Sequence, residues 1–468
     1  GTINILGGTI NGCITGTNPV MWNSNANGTY NISGGTITAN QSTAMYVVNG
    51  KINVSGEAKI TSKKFYGIYN TNSGQVNISG GTIIGAQEGT SSAIWNNNNG
   101  GKIKITGGNI SSKTANAVKN NAGGTVEISG DTTNISSENN DAIDNSATGI
   151  INIKGGTIDS QNRRALYNRG GTIEISGGIM RALKSILITN QGTGQVNING
   201  GTLIGQNELT EAQIEDGSTY PAIWNNDNEG KIKITGGNIS SKASSVIYNK
   251  AGGIIEISGD NTNIMSENNG VINNQGTGQV NINGGTIESI NTSVIYNKAG
   301  IITVSNGTMR ALKGHVITNN ETGQVNISGG QIIGCEIASE SVYPAIISNG
   351  SESIINVTGG NISTKTASAI YSEGVLTITD GTLVSDKEIT LYNIGNLTIN
   401  GGIIRANNSS SIMNETGANL IINGGEIIGN LEYVGINNYG TLTIGDASAD
   451  ISITNPCVIG GNTVYNKD

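Results

Sequence analysis

Large side chains are scarce in this sequence. Aromatics make up 4 % of 468 residues, with a single Phe (Phe65) and a single His (His315), and charged residues make up 12 %, about half the usual share. That composition excludes a thick globular core built on big apolar groups. Cysteine is rare too: Cys13, Cys335 and Cys457 are an odd set, which is no disulfide framework. Cys13 and Cys335 hold matching places in distant coils, beyond bridging reach, so all three read as free thiols. No apolar run approaches ~18 residues, which excludes a membrane-spanning helix. The 3.6-residue periodicity of amphipathic helices is missing. Net charge is −8, and this acidic balance leaves no basic patch to neutralise phosphates. Nucleic acid and anionic membrane are therefore excluded as main partners. No zinc spacing, nucleophile elbow or phosphate loop occurs, and no cofactor is expected.

Glycine, Ile, Val and Asn are plentiful, and they recur in order. Glycine alone accounts for 71 residues. The recurring phrase is Gly-x-Val-x-Ile-x-Gly-Gly-Thr-Ile, a variable stretch, then Ala-Ile-aromatic-Asn. The second residue of each Gly-Gly or its equivalent, including Glu57, Asp131 and Asp260, marks about nineteen coils, mostly 21–27 residues apart. Val76, Ile78 and Ile83 alternate with Asn77, Ser79 and Thr82, the period-two signature of a half-buried strand. Glycines at the breaks permit corners with positive φ. Short strands, corner glycines and a period of this length predict an all-β parallel β-helix, three short strands per coil, over 1–468 as one continuous domain. Rungs ~4.8 Å apart would make it a long rod. Asn70, Asn96, Asn120, Asn145, Asn168 and Asn190 recur at one corner. They read as a ladder bonding rung to rung and satisfying backbone groups.

The outward file of the first strand is where a catalytic pair would stand. Glu127 and Glu174 stand two rungs apart there, near the upper end of the spacing of an inverting glycosidase pair. Against this, Lys104 beside Glu127 recurs as Lys233 beside Glu256, and opposite charges on neighbouring rungs pair. His315 falls in a file with Ala165 and Val294 and reads as a corner filler. The Thr file (Thr9, Thr36, Thr82, Thr157 and later members) lacks the matching second file that an ice-binding array needs.

The third strand is more informative. Its variable position holds Trp22, Tyr69, Trp95, Lys119, Asp144, Tyr167, Thr189, Trp224, Tyr248, Asn273, Tyr296, Tyr371 and Tyr392. The polar members place this file outside, so the aromatics form one outer face suited to sugar rings or a protein partner. Long insertions (11–19, 86–92, 206–220 and 335–343) emerge just before this file, where solenoids carry recognition. The candidate ligand-binding residues are Trp22, Tyr69, Trp95, Tyr167, Trp224, Tyr248 and Tyr296 on the file. Glu208, Glu211, Glu215, Asp216, Tyr220 and Tyr343 join them from the insertions. No catalytic or metal residue is assigned.

The Asn-Ile-Ser-Gly-Gly-Thr-Ile units resemble the pectin-lyase-like right-handed β-helix superfamily, most closely the non-catalytic repeats of bacterial cell-surface adhesins. The resemblance implies right-handed coiling, export or cell-surface attachment, and binding to a glycan or host surface protein. The catalytic Asp, Arg or Lys clusters of that superfamily have no match here. The chain opens in mid-repeat and shows no caps, so flanking domains of the same polypeptide are expected. The function expected is an adhesin-like rod that does not insert into membranes. A polysaccharide lyase or hydrolase, or a passive stalk, are the alternatives.

Overall fold

A computed structural model describes the chain except Cys13, Leu183, Glu208, 210–218, 338–342, Leu431, 446–450, 455–463 and 467–468, with backbone alone for 451–454 and 464–466. The chain divides into two compact units, Gly1–Ser244 and Ser245–Asp468. Each is a parallel β-solenoid, with about 18 turns in all. No helix occurs among the described residues.

One turn is a long bent strand followed by a three-residue strand. In the turn of Gln75–Ile84 and Ile94–Asn96, Val76, Ile78 and Ile83 point inward and are buried, as do Ile94 and Asn96. The two arms expected from the alternation are thus fused in most turns into one strand of 10–11 residues. They meet at a register irregularity beside the Gly-Gly pair. Gly81 supplies φ +82 at that bend, and a Cβ there would lie 2.7 Å from the Ala58 carbonyl of the preceding rung. Only glycine suits both demands.

Three bends depart from the expected marks. At Glu57, Asp131 and Asp260 the positive φ falls one residue earlier, on Gly56, Gly130 and Gly259. A side chain with a Cβ resists that conformation, so the bend slides to the glycine. In these same turns the long strand breaks into two pieces, for instance Thr125–Ile128 and Thr133–Ser137.

Inward positions stack like upon like. Ile103↔Val126, Ile105↔Ile128 and Ile110↔Ile135 are direct rung neighbours, all buried. Each fully buried aliphatic side chain contributes about 1.5–3 kcal/mol. The core is a narrow column that needs no large aromatic, which reconciles the fold with the composition.

The buried Asn file is the polar half of this core. Asn70 Nδ2 donates to Asn96 Oδ1 at 2.8 Å, and the chain continues through Asn120, Asn145, Asn168 and Asn190 to Asn225 at 2.8–3.0 Å. Each amide also donates to a glycine carbonyl three to five residues on, such as Asn96 to Gly101 at 3.0 Å. A Cβ on Gly101 would sit 2.2 Å from Asn96 Oδ1, so this second glycine file exists to admit the amides. In the second unit the ladder runs Asn249, Asn274, Asn297, Asn319 at 2.9 Å and again from Asn393 through Asn414 to Asn438.

Candidate outward-facing site

The middle residue of each three-residue strand faces outward. In the first unit the register is Trp22↔Tyr46↔Tyr69↔Trp95↔Lys119↔Asp144↔Tyr167↔Thr189↔Trp224. In the second it is Tyr248↔Asn273↔Tyr296↔Thr318↔Ile347↔Tyr371↔Tyr392↔Met413↔Asn437. Flanking positions point into the core, so the strand presents one side chain per rung.

Trp22, Tyr69 and Trp95 are brought together through Tyr46 and Tyr66. Ring centroids lie 5.9 Å apart for Trp22–Tyr46, 4.9 Å for Tyr46–Tyr69, 5.3 Å for Tyr66–Tyr69, 4.9 Å for Tyr66–Trp95 and 5.0 Å for Tyr69–Trp95. Trp22 meets Tyr46 edge-on at 89° and is 60 % exposed, so its face is open. Tyr69 is tilted 28–31° against Tyr46 and Tyr66, so those faces are shared between rungs, and Trp95 is tilted 42° and 60° against Tyr66 and Tyr69. Burial pushes the phenols of Tyr46 and Tyr66 above their ordinary pKa. Asn97 Nδ2 donates to the Tyr69 hydroxyl at 2.7 Å, and Lys119 Nζ lies 5.3 Å over the Trp95 ring.

Sequence reasoning missed Tyr46 and Tyr66. Tyr46 was hidden because Val47 stands where the motif has Asn. Tyr66 precedes its strand by two residues and reaches the file only through the corner.

Farther along, Tyr167 is differently placed. The guanidinium carbons of Arg164 and Arg169 lie 3.7 and 4.2 Å from its ring centroid. Arg164 holds Asp141 at 2.8 and 3.0 Å, and Arg169 holds Asp144 at 3.1 and 3.3 Å. Both carboxylates are buried, so this cluster closes the ring over rather than offering it. Trp224 borders Thr189, and Tyr248 and Tyr296 are separated by Asn273 in the second unit. Tyr220 and Tyr343 are half-buried in connections. Glu208, Glu211, Glu215 and Asp216 lie outside the described residues.

Near Tyr343, the expected place of His315 needs correction. The register Ile295↔Ile317 sets Val316, not His315, over Val294, because the motif was read one residue out of step. His315 Nδ1 contacts the Pro344 carbonyl at 2.7 Å and its ring meets Tyr343 edge-on at 5.1 Å. Burial pushes the imidazole below its ordinary pKa. Cys335 is a buried free thiol, with Thr366 Oγ1 2.8 Å from its sulfur. Cys13 and Cys457 lie outside the described residues.

The carboxylates of the first strand have other company than expected. Glu127 pairs with Lys154 at 3.3 Å, whereas Lys104 was the partner read from the sequence. Lys104 stands in register with Glu127, but Lys154 reaches the carboxylate from the bend of the following rung. Asn197 Nδ2 donates to Glu174 Oε1, and Asn199 Nδ2 lies 3.5 Å from its other oxygen. Asn152 stands between the two acids.

Charge is also distributed unevenly, which corrects the reading that no basic patch exists. Residues 1–126 carry eight lysines against two glutamates, while 245–468 carry eight cations against eighteen acids. A whole-chain net charge conceals this division.

The fold and this file define the class: a parallel β-solenoid that displays one outward side chain per rung. Comparison with protein-family models, curated proteins and solved structures gave no match to the chain.

Proposed function

We propose that this chain is a non-catalytic recognition scaffold of the adhesin type, acting outside the cell and binding a glycan or a surface protein through the outward file of the first unit. One observation carries the reading. Five rings touch in an unbroken series at 4.9–5.9 Å: Trp22, Tyr46, Tyr69 and Trp95 on strands paired rung to rung, and Tyr66 at the corner that precedes one of them. Rigid, amphipathic rings at a rung spacing of about 4.8 Å offer contact at low entropic cost. That spacing is close to the length of one pyranose residue in an extended glycan, so successive sugars could track successive rungs. Kinship with the pectin-lyase-like β-helices, and with it export, is proposed on the Asn-Ile-Ser-Gly-Gly-Thr-Ile unit.

The test is a glycan and surface-protein array probed with the full chain and with Trp22→Ala. Trp22 is the most exposed ring, so its removal should leave the melting temperature unchanged. The reading expects binding that Trp22→Ala weakens. An array without signal leaves a passive stalk instead, and binding indifferent to Trp22→Ala and to a second variant, Tyr46→Leu, contradicts the assignment of the ring series as the contact surface. Oligosaccharide release from a polymer panel, abolished by Glu174→Gln, would assign the chain to the enzymes.

A further inference from the structure

We infer that the ligand of this face is polyanionic: a linear glycan bearing carboxylate or sulfate groups, held on the first turns of the first unit. The inference rests on the recognition reading above and names its ligand class. Its basis is the setting of the aromatic series among lysines. Lys51, Lys59, Lys63, Lys64, Lys102, Lys104, Lys113 and Lys119 fall within residues 1–126, and all but the half-buried Lys119 are exposed. None of the eight forms an ion pair among the described residues.

Four of them edge the ring series. Lys63 and Lys64 occupy the corner that leads through exposed Phe65 into Tyr66. Gln87 and Glu88 bond to the Lys63 carbonyl at 2.8 and 3.1 Å, and Asn139 bonds to that of Lys113 at 3.1 Å. Lys63 and Lys113 therefore share a corner, two rungs or about 10 Å apart. Lys119 stands over Trp95 on the adjoining strand. The acids in this neighbourhood are Glu88 between the two corner lysines, Glu57 at a bend, Glu138 one rung beyond Lys113, Asp144 in register with Lys119 and Glu127 in register with Lys104. Arg169 holds Asp144 and Lys154 holds Glu127, so the four lysines of the corner and file outnumber the remaining acids beside the open face of Trp22.

One feature favours an acidic glycan over a nucleic acid. All eight cations are lysines, hydrated point charges that meet carboxylate, sulfate and phosphate alike, so the rings and not the charges make the distinction. Tyr69 lies 28–31° from Tyr46 and Tyr66, and Trp95 is tilted 42° and 60° against Tyr66 and Tyr69, so the inner rings are spent on one another and give no run of free platforms for successive bases, while Asn-rich flanks offer amides to sugar hydroxyls. Beyond residue 126 acids outnumber cations, 31 to 17. A polyanion is repelled there, and the contact is confined to these first turns.

The experiment measures retention and affinity of the full chain on polygalacturonate, heparin, neutral dextran and single-stranded polythymidylate, across a salt series. The variant is Lys63→Gln/Lys64→Gln/Lys113→Gln/Lys119→Gln, and the control is Lys313→Gln/Lys387→Gln in the second unit. Thermal melts verify that both variants fold. The expected result is binding to polygalacturonate or heparin that weakens with salt, falls about thirtyfold or more in the quadruple variant, and is unmoved in the control. Equal binding by the quadruple variant, or no binding to either acidic glycan, overturns the inference, and so does tighter binding to polythymidylate. Binding to dextran that is lost in Trp22→Ala but kept in the lysine variant sinks the anionic class while leaving the recognition reading standing.

Discussion

In the first unit the outward file opens with Trp22, Tyr46, Tyr69 and Trp95 and passes to Lys119, with lysines on the adjoining corner. In the second unit the same file carries Tyr371 stacked on Tyr392, ring centroids 5.3 Å apart and planes 21° from parallel. There the phenols turn to acids: Tyr371 to Glu373 at 3.5 Å, and Tyr392 to Glu415. The ring geometry is alike in both because the solenoid dictates it. One side chain per rung at fixed spacing forces neighbouring aromatics into contact whatever their role. What sets the first file apart is a series of five rings rather than a pair, the open face of Trp22, and the surrounding charge.

If the fold is one device used twice, equal damage should follow equal cuts in the two ladders. Asn145→Leu in the first unit and Asn297→Leu in the second each strand a glycine carbonyl and a neighbouring amide, at a cost of about 2–4 kcal/mol. Denaturant melts should register the loss in both, and a loss in one alone breaks the equivalence. Arg169→Ala should have no counterpart in the second unit. It leaves buried Asp144 without its arginine, and because Arg169 is half-exposed the cost is about 1–3 kcal/mol, again read from melting.

Each ladder also has a fault. Val47 in the first, and Ser348 with Ser372 in the second, stand where Asn is the rule, and Asn70 Oδ1 and Asn393 Oδ1 are buried without a partner. Val47→Asn and Ser372→Asn should each stabilise by about 1 kcal/mol. No gain in either would show that the gap is harmless.

The two files should differ in alkali. The hydrogen bond to Glu415, with burial and nearby charge, raises the Tyr392 phenol to about 12, above the value of an unfolded tyrosine. The stability this contributes is complete below pH ~10 and is lost as pH rises through about 12. In a phenolate titration Tyr392→Phe should remove the last-titrating group. The smallest effect is expected for Trp95→Phe. Trp95 Nε1 is buried without a hydrogen-bond partner, so shedding that N–H offsets the ring contact with Tyr66 and Tyr69 that the smaller side chain gives up, and stability should change by less than about 1 kcal/mol.

Much of this was legible because repetition writes itself into sequence. The alternation of Val76, Ile78 and Ile83, the Asn file and the outward position of Trp22, Tyr69 and Trp95 all follow from periods that survive without coordinates. What escaped depended on single departures from the motif. Val47 in place of Asn hid Tyr46, a one-residue slip misplaced His315, and Lys154 reached Glu127 from a bend that strand logic does not describe. The lysine-rich opening escaped for a different reason: a total charge averages over regions that a stacked fold keeps apart.

The most direct test is hydrogen exchange of the full chain with and without polygalacturonate at low salt. Slowed exchange confined to 20–24, 44–48, 62–70, 92–97 and 116–121, with 245–445 unchanged, is the result expected. Slowing centred on Tyr371–Tyr392, or spread evenly over both units, would contradict the assignment of recognition to the basic, aromatic turns.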